Sequence, residues 1–298
     1  MNDFKPYVSV IIPTYHDWER LKLCIVSLRL QTYPSELFEV IIVNNDPADP
    51  VPPTVSLPHN FTILHELAQG SYAARNRGVS VAKGEVLAFT DSDCIPETTW
   101  IEAAVSYFGN HPDIDRIGGQ VNLFTLGGQY NLAEAYEVVY AFRQEENVKK
   151  DTSVTANMFA RKKVFDKVGL FDASMFSGGD FEWGKRAARN KFSIGFSSEV
   201  IVHHPARRDL KQLLRKVKRV ASGKYTMTGE SKSTAYRYID FLCEFRPPVK
   251  EIGLIYTRGK QLSFKLKMLV FLLRYHIRVL RAYEEIKLFN GVIPYRDV

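Results

Sequence analysis

The chain has 298 residues, of which 45% are hydrophobic, so it can bury the core of a large domain, and a disordered or fibrous protein is excluded. Its three cysteines are far apart and form no CxxC pair, which argues against a disulfide framework or a thiolate zinc site and points to a reducing compartment. The net charge is +7, but residues 211–298 hold 19 Lys/Arg against 7 Asp/Glu, so this basic third predicts a polyanionic partner, either membrane or nucleic acid.

The first half of the chain alternates strand-like and helix-like segments. Residues 8–13 and 39–43 are rich in β-branched side chains, as is typical of strands buried on both faces of a parallel sheet. Between them apolar residues recur at helical spacing until Pro34 ends the pattern. The first apolar run is too short for a signal sequence and lacks its basic flank, so we expect a strand there and a cytoplasmic protein.

The same alternation continues along the chain. Residues 63–67 predict a third strand, residues 71–83 a second helix, and residues 85–90 a fourth strand that runs directly into Asp91. A βαβαβ order of this kind predicts a doubly wound α/β sheet, with its ligand crevice at the carboxyl ends of the strands.

The last third of the chain predicts basic amphipathic helices. They begin near residue 209, and a second such segment covers residues 264–283. That segment contains the apolar run 268–273, but flanking Lys and Arg leave it too short to cross ~30 Å of hydrocarbon. We expect a helix that lies in the plane of an anionic membrane surface. The alternative is a helix packed on the preceding domain with a solvated basic face.

Two carboxylates two residues apart form the most informative element. Asp91, Ser92 and Asp93 follow a buried strand at the edge where an open α/β sheet presents its ligand. Oxygen ligands suit Mn²⁺ or Mg²⁺, and such ions bind through one or two carboxylates together with substrate phosphates. Acidic pairs after strands also serve as turns or helix caps, but the strand before and the helix after favour a site for a metal and a diphosphate.

Several blocks of sequence occur in a recognisable order. They read VSVIIPTYHDWERLKLCIVSLRLQTYP, EVIIVNND, AARNRGVSVAKGEVLAFTDSDCIPETTWIE, GGQV, TANMFARKKVFDKVGLFD, GGDFEWGKRA and VIVHHPARRDLKQLLRKVKRVASG. Together, over residues 7 to about 225, they resemble family 2 glycosyltransferases of the GT-A fold. The resemblance implies an α/β class with a Rossmann-like mixed sheet flanked by helices. Since the basic helical pattern begins near residue 209, we expect that domain at residues 1–208 and a basic helical extension at residues 209–298.

The resemblance also implies an activity and a donor site. The activity is transfer of a sugar from a nucleotide-diphosphate donor to an acceptor hydroxyl with inversion. The nucleotide would lie after the first strand, at Pro13, Thr14 and Tyr15, with its base near Asn44, Asn45 and Asp46 after the second strand. Its phosphates would lie beside Arg75, and its ribose or a metal-bound water beside Asp91 and Ser92. Asn157 corresponds to a residue that lines the cleft in similar enzymes.

The resemblance makes Asp93 a direct ligand of Mn²⁺ or Mg²⁺ and adds a histidine from the strand-like run EVIVHH. Neighbouring residues on a strand point to opposite faces, so only one histidine of the pair can reach the metal. His204, which precedes Pro205, is the expected ligand, and His203 is the alternative.

Asp180, in the run GGDFEWG, matches the aspartate that this family uses as its catalytic base. Inversion needs such a base, because the acceptor oxygen loses its proton while the anomeric bond breaks. The simpler alternative is that Asp180 caps the N-terminus of the helix that follows.

The sequence departs from the family at two places. Asn44, Asn45 and Asp46 stand where many relatives have two acids, so an Asn carbonyl or Asp46 would meet the nucleotide base. Gly179 stands where a glutamate often precedes the catalytic aspartate, so the pKa of the base would be tuned by Glu182 or by another group.

Other classes of protein fit the sequence less well. There is no GxGxxG and no GxxxxGK[ST], which argues against a dinucleotide-dependent oxidoreductase and a Walker-type NTPase. A nucleotidyltransferase remains the alternative enzyme, and a non-catalytic scaffold that binds membrane or nucleic acid is the alternative outside enzymes. The expected partners are a nucleotide-sugar donor, a glycan or lipid-linked acceptor and the inner face of the cell membrane, but not nucleic acid. The resemblance suggests bacterial surface polysaccharide or glycolipid assembly as the setting.

Overall fold

A computed structural model describes residues 5–125, 127–175, 177–228 and 234–292. The chain forms two compact units. The first comprises residues 1–122, 142–174 and 179–204, and the second comprises residues 123–141, 175–178 and 205–298. Three segments that the sequence predicts in the first domain group with the second unit: residues 123–141, 175–178 and 205–208. The division at residues 208 and 209 stays a prediction.

Eight strands form one mixed sheet in the order β3-β2-β1-β4-β7-β6-β8-β5. β1 pairs in parallel with β2 and β4, and β2 pairs in parallel with β3. β7 is antiparallel to β4 and β6, and β5 is antiparallel to β8. The strands are β1 Val8–Thr14, β2 Phe38–Asn44, β3 Phe61–His65, β4 Val86–Thr90, β5 Ile95–Pro96, β6 Arg116–Phe124, β7 Asn157–Arg161 and β8 Ile194–Pro205.

Helices connect the strands and make up the C-terminal part of the chain. Short 3₁₀ turns occur at Ser35–Leu37 and Val249–Glu251. The α-helices are α1 Trp18–Arg29, α2 Ser71–Val81, α3 Trp100–Asn110, α4 Leu132–Tyr140, α5 Gln144–Val148, α6 Lys162–Val168, α7 Gly179–Arg189, α8 Leu210–Thr228, α9 Thr234–Glu244, α10 Ile252–Arg258 and α11 Phe264–Phe289.

The two faces of the sheet explain why β1 and β4 are mostly apolar. Val10 and Ile12 of β1 join a buried cluster with residues of α1 and α3 on one face. On the other face, Phe89 of β4 packs against the rings of Phe165 and Phe171, with ring centroids 5.5 and 5.6 Å apart. A strand covered on both faces has no solvated side, so it carries a continuous apolar run instead of an alternating one.

Helix α2 lies close to the sheet because it has a glycine where it crosses β1. A Cβ atom on Gly78 would lie 2.5 Å from Cγ2 of Ile11, too close for any larger residue. This approach places the first turn of α2 at the carboxyl edge of the sheet, where the predicted site residues lie.

The second unit is helical apart from the strand ends that it includes. Its buried cluster contains Tyr136 and Val139 of α4, Leu213 and Val217 of α8, and Ile277 of α11. Among the described residues, no helix combines the length and the apolar character that crossing a membrane requires.

The predicted α/β class with a mixed sheet and C-terminal helices is confirmed. Individual limits differ: the third strand covers residues 61–65 instead of 63–67, and Leu67 is 81% exposed. An apolar residue just beyond a strand need not belong to it, since isolated apolar side chains are common on surfaces.

Candidate active site

Three parallel strands end at one edge of the sheet, and several of the candidate site residues lie at or just after those ends. β1 ends at Thr14, β2 ends at Asn44 beside it, and β4 ends at Thr90, one residue before the DSD triplet. Pro13 lies within β1, opposite Val43. The topology therefore brings together segments that are far apart in the sequence, as expected for the ligand edge of an open α/β sheet.

The start of α1 holds the DSD triplet in place. Asp17 accepts a hydrogen bond of 2.9 Å from the Ser92 hydroxyl and one of 2.6 Å from Arg20 Nε. Arg20 in turn donates from Nη1 to Oδ2 of Asp93 at 3.3 Å. Ser92 therefore orients the turn through Asp17. Neither Asp17 nor Arg20 was predicted as a site residue from the sequence.

Asp93 and His204 form the arrangement expected of two metal ligands. Nε2 of His204 lies 3.5 Å from Oδ1 of Asp93, and the Cys94 thiol belongs to the same cluster, with ligand atoms within 4.8 Å of one another. Two ligands that bind one first-row ion at roughly 2 Å each lie at such a separation. The residues present therefore fit a divalent ion held by a carboxylate and an imidazole.

His203 points elsewhere on the same strand. Its Nε2 lies 2.6 Å from Oε1 of Glu97, and its backbone is paired with Ile95 of β5. The alternation of side chains along β8 thus directs His204, which is 3% exposed, toward Asp93 and directs His203 away.

The electrostatic surroundings of Asp93 suit a bound cation. Burial raises the pKa of Asp93. The side chains of His204 and Arg20 oppose this rise, whereas the carboxylates of Asp91 and Asp17 add to it. The resulting pKa is raised, so the anion is disfavoured in the protein alone. A bound cation beside the carboxylate would reverse that preference.

Arg75 is buried and reaches the first acid of the triplet. Its Nη2 lies 2.5 Å from Oδ1 of Asp91, and Arg75 itself is only 4% exposed. Among the described residues, neither Arg75 Nε nor Thr14 Oγ1 has a hydrogen-bond partner, although both atoms are buried. A buried polar atom without a partner costs about 1–3 kcal/mol, and a bound ligand can remove that cost.

Asp180 lies in the first turn of α7 and is 8% exposed. The helix begins one residue earlier, at Gly179, and Asp180 accepts a hydrogen bond from an N–H of its first turn. Oδ1 of Asp180 accepts hydrogen bonds of 3.0 Å from the Tyr72 hydroxyl and 3.0 Å from the Phe181 N–H. Burial raises the pKa of Asp180, which Arg75, Tyr72 and the N–H groups of Phe181 and Thr155 only partly oppose.

Glu182, a candidate from the sequence for tuning the pKa of Asp180, pairs with a different residue. Its carboxylate forms hydrogen bonds of 2.7 and 2.9 Å with Arg186, one turn along α7. The polar side chains that act on the pKa of Asp180 are Arg75 and Tyr72, both from α2.

The two asparagines after β2 are occupied by backbone contacts. Asn44 donates to the Asp49 carbonyl and accepts from the Asp46 N–H. Asn45 donates to the carbonyls of Glu66 and Ala68 and accepts from the Gly70 N–H. Both amides thus shape the loops around the site.

Asp46 follows the two asparagines, and its side chain also contacts protein groups: Oδ1 accepts a hydrogen bond of 2.9 Å from the Ala48 N–H. Its Oδ2 lies 2.9 Å from Nε2 of His16, and the His16 ring meets Tyr15 edge-on, with centroids 4.4 Å apart. Tyr15 is 47% exposed at the end of β1. The sequence analysis did not identify His16, whose only signal was its place directly after the Pro-Thr-Tyr triplet.

Asn157, at the start of β7, lies in the core beside the site. Its Oδ1 accepts from Trp100 Nε1 at 2.9 Å, and its Nδ2 donates to the carbonyls of Gln120 and Val200, each at 2.8 Å. The residue is 0% exposed. Its amide is therefore engaged on both sides by protein atoms.

Comparison with known proteins identifies the family. The model of the family described as "Glycosyl transferase family 2" matches residues 9–169, more than half of the chain. The chain belongs to this family. It is also 36% identical over 232 residues to the glycosyltransferase AglE of Haloferax volcanii, covering 75% of this chain and 74% of the relative.

Two solved structures share the fold of this chain. One is the mannosyltransferase PcManGT from Pyrobaculum calidifontis in complex with GDP-Man and Mn²⁺, with a TM-score of 0.65, 15% identity, and coverage of 97% of this chain and 89% of that one. Another is TarS 1-349 of S. aureus in complex with UDP-GlcNAc, with a TM-score of 0.55, 16% identity, and coverage of 95% and 92%. The GT-A fold predicted from the sequence is confirmed.

Family membership also decides between the classes of protein that the sequence left open. The protein is a glycosyltransferase, and the nucleotidyltransferase and non-catalytic scaffold interpretations are set aside.

Proposed function

We propose that this family 2 glycosyltransferase is metal-dependent and inverting, and that it transfers a sugar from a nucleotide-diphosphate donor to an acceptor hydroxyl. The observation that carries the proposal is the series of contacts along one edge of the sheet. His204 lies beside Asp93, Arg75 bonds Asp91, and Arg75 also acts electrostatically on the buried Asp180. A cation site, a phosphate-binding group and a base thus belong to one network.

Donor binding follows from the groups at this edge. We propose that Tyr15 and Asp46 receive the nucleotide base and that Thr14 Oγ1 and Arg75 Nε take up the donor's oxygen atoms, since both are buried without partners among the described residues. Asp93 and His204 would hold Mn²⁺ or Mg²⁺. When bound, the ion supplies positive charge that stabilises the leaving diphosphate.

The transfer itself needs one base. In our proposal the Asp180 carboxylate takes the proton of the acceptor hydroxyl as that oxygen bonds to the anomeric carbon. The bond from this carbon to the diphosphate oxygen breaks on the opposite face, and its electron pair leaves with the nucleoside diphosphate. A raised pKa makes Asp180 a better proton acceptor, and proton transfer of this type contributes about 10²–10⁴-fold to rate.

The second unit supports a peripheral position at a membrane. Phe264, Met268 and Leu272 recur every four residues along one face of α11 and are 72%, 51% and 53% exposed. Lys260 and Lys265 are exposed beside this stripe. Apolar side chains flanked by lysines suit the headgroup region of an anionic bilayer. We therefore propose that the enzyme works at the inner face of the cell membrane on a glycan or lipid-linked acceptor of a surface polysaccharide or glycolipid.

Donor hydrolysis tests the catalytic part of the proposal. The purified protein is incubated with Mn²⁺ or Mg²⁺ and a panel of UDP-, dTDP- and GDP-sugars, and the released nucleoside diphosphate is measured. We expect slow, metal-dependent release from one donor, with loss of release on adding EDTA or in the Asp93→Ala variant. NMR of a transfer product then gives its anomeric configuration.

Two outcomes would contradict the proposal. Absence of both hydrolysis and metal-dependent nucleotide binding with every donor would exclude the proposed donor site. Full hydrolysis in EDTA after removal of bound metal would exclude metal dependence while leaving glycosyl transfer intact.

A further inference from the structure

Tyr72 is the side chain that contacts the proposed base most directly. It lies in the first turn of α2, is 5% exposed, and donates its hydroxyl hydrogen to Oδ1 of Asp180 at 3.0 Å. Its ring packs against Phe171, with centroids 5.7 Å apart. Burial raises the pKa of Tyr72, so the hydroxyl stays protonated and remains a donor.

Helical spacing couples this contact to the donor side of the site. Tyr72 and Arg75 are three residues apart on α2, so their side chains share one face of the helix. Cζ of Arg75 lies 5.5 Å from the centroid of the Tyr72 ring, and its guanidinium bonds Asp91. The same helix face therefore contacts the carboxylate of the DSD triplet and the carboxylate of the base.

Gly179 makes room for the tyrosine ring. A Cβ atom on Gly179 would lie 2.8 Å from Cε2 and 3.0 Å from Cδ2 of Tyr72. Since a rigid, buried ring cannot yield as a flexible side chain does, any larger residue before Asp180 would displace Tyr72. A glutamate at this place is thus incompatible with the observed position of the ring.

We propose that Tyr72 is a positioning residue for the catalytic base, which it orients through its hydroxyl, and that Gly179 is required because it admits the Tyr72 ring. The inference rests on the proposed function of Asp180. The Tyr72 hydroxyl and the Phe181 N–H both bond Oδ1, so Oδ2 is the oxygen we expect to receive the acceptor's proton. Arg75 and the Thr155 N–H are the other groups that act on this carboxylate.

Tyr72→Phe tests the hydroxyl while keeping the ring. With the donor sugar identified by hydrolysis, and water as the acceptor, we expect kcat to fall roughly 10-fold, as for loss of a hydrogen bond to a charged group. KM for the donor stays within about twofold, because Tyr72 contacts the base and not the donor. The acid limb of the kcat/KM profile moves to higher pH, since a carboxylate that loses a donor has a higher pKa.

Tyr33→Phe is the matched control. Tyr33 is also buried and donates its hydroxyl hydrogen to the Pro6 carbonyl at 2.7 Å, away from the site residues. Its loss should lower the melting temperature without moving the pH profile, which separates positioning from general stability.

Two further variants keep the inference falsifiable. Asp180→Asn should abolish hydrolysis while donor binding persists; activity in this variant would overturn the proposed base. If Asp180→Asn is inactive but Tyr72→Phe changes neither kcat nor the acid limb, only the role of Tyr72 is overturned.

The ring and the glycine are tested together by a double-mutant cycle. Gly179→Ala should lower kcat in the wild-type background, because the added methyl displaces the ring. In a Tyr72→Ala background the same substitution should cost little, so the two effects should not add. Equal losses in both backgrounds would show that Gly179 acts independently of Tyr72.

Discussion

Nε2 of His204 lies 3.5 Å from Oδ1 of Asp93, whereas Nε2 of its neighbour His203 lies 2.6 Å from Glu97. One strand thus presents two chemically identical side chains to opposite sides, and the two have different contacts. This pair provides a matched comparison for the proposed metal site.

We expect His204→Ala and Asp93→Ala each to weaken Mn²⁺ binding by roughly 100-fold or more, since even outer groups around a metal contribute 10–100-fold. His203→Ala should leave the affinity nearly unchanged. The measurement is a Mn²⁺ titration followed by electron paramagnetic resonance, with a nucleoside diphosphate present. Equal effects of the two histidine variants would contradict the assignment of His204.

The sequence was informative about the site wherever local order determined the geometry. β1 and β4 are buried on both faces, so they could be recognised as apolar runs, and Asp91 and Asp93 follow β4 without a gap. Alternation along a strand was also enough to show that only one of His203 and His204 could face Asp93.

Contacts between distant segments were not accessible in this way. The bond from Tyr72 to Asp180 depends on how α2 and α7 pack, and nothing local to either residue indicates it. Asparagines were ambiguous for a different reason: Asn45 after a strand can meet a ligand or a loop carbonyl, and only the fold shows that it bonds the loop.

Asn157 is expected to contribute more to stability than to donor binding. Asn157→Ala would leave the Trp100 indole N–H and the carbonyls of Gln120 and Val200 without their buried partner. We expect the free energy of unfolding to fall by roughly 3 kcal/mol. Urea denaturation measures this loss, and isothermal titration of the nucleoside diphosphate measures binding.

Asn190→Ala is the control for this substitution. Asn190 donates to the Arg186 carbonyl at an exposed position, so its loss should change stability little. Unchanged stability of Asn157→Ala together with weakened nucleotide binding would instead support the substrate-binding role suggested by the family resemblance.

Glu137 should make the stability of the protein depend on acid pH. The side chain is 1% exposed, and burial alone would raise its pKa, but Lys216 and Arg207 outweigh this and lower the pKa from 4.5 to about 2. A carboxyl group whose pKa is lower in the folded protein than in the unfolded protein stabilises the fold at pH values above its pKa in the unfolded protein. That stabilisation is lost as the pH falls from about 4.5 to about 2.

Glu137→Gln should therefore destabilise the protein by about 3 kcal/mol at pH 7, because it leaves two cations beside a neutral amide. The difference in the free energy of unfolding between this variant and the wild type should shrink toward pH 3. Urea denaturation at both values measures the change, with Glu36→Gln at an exposed position as the control. A deficit that is equal at pH 7 and pH 3 would exclude this linkage.

The exposed stripe of Phe264, Met268 and Leu272 is expected to mediate binding to anionic lipid. Replacing all three with serine should reduce co-flotation with phosphatidylglycerol-rich vesicles at least about 10-fold, since each buried apolar side chain contributes roughly 1.5–3 kcal/mol. Binding should also weaken as salt is raised, because the lysines act through a screened surface potential.

Helix α1 offers a control of matched size. Leu23 and Val26 of this helix and Leu30 at its C-cap are 54%, 51% and 61% exposed, so three serines there remove a similar apolar area. Undiminished flotation of the α11 variant would contradict the proposed surface, and equal loss in both variants would indicate unspecific adhesion. A wild-type protein that stays dimeric without vesicles, and becomes monomeric when the α11 stripe is replaced, would assign the stripe to a second copy of the chain instead of a bilayer.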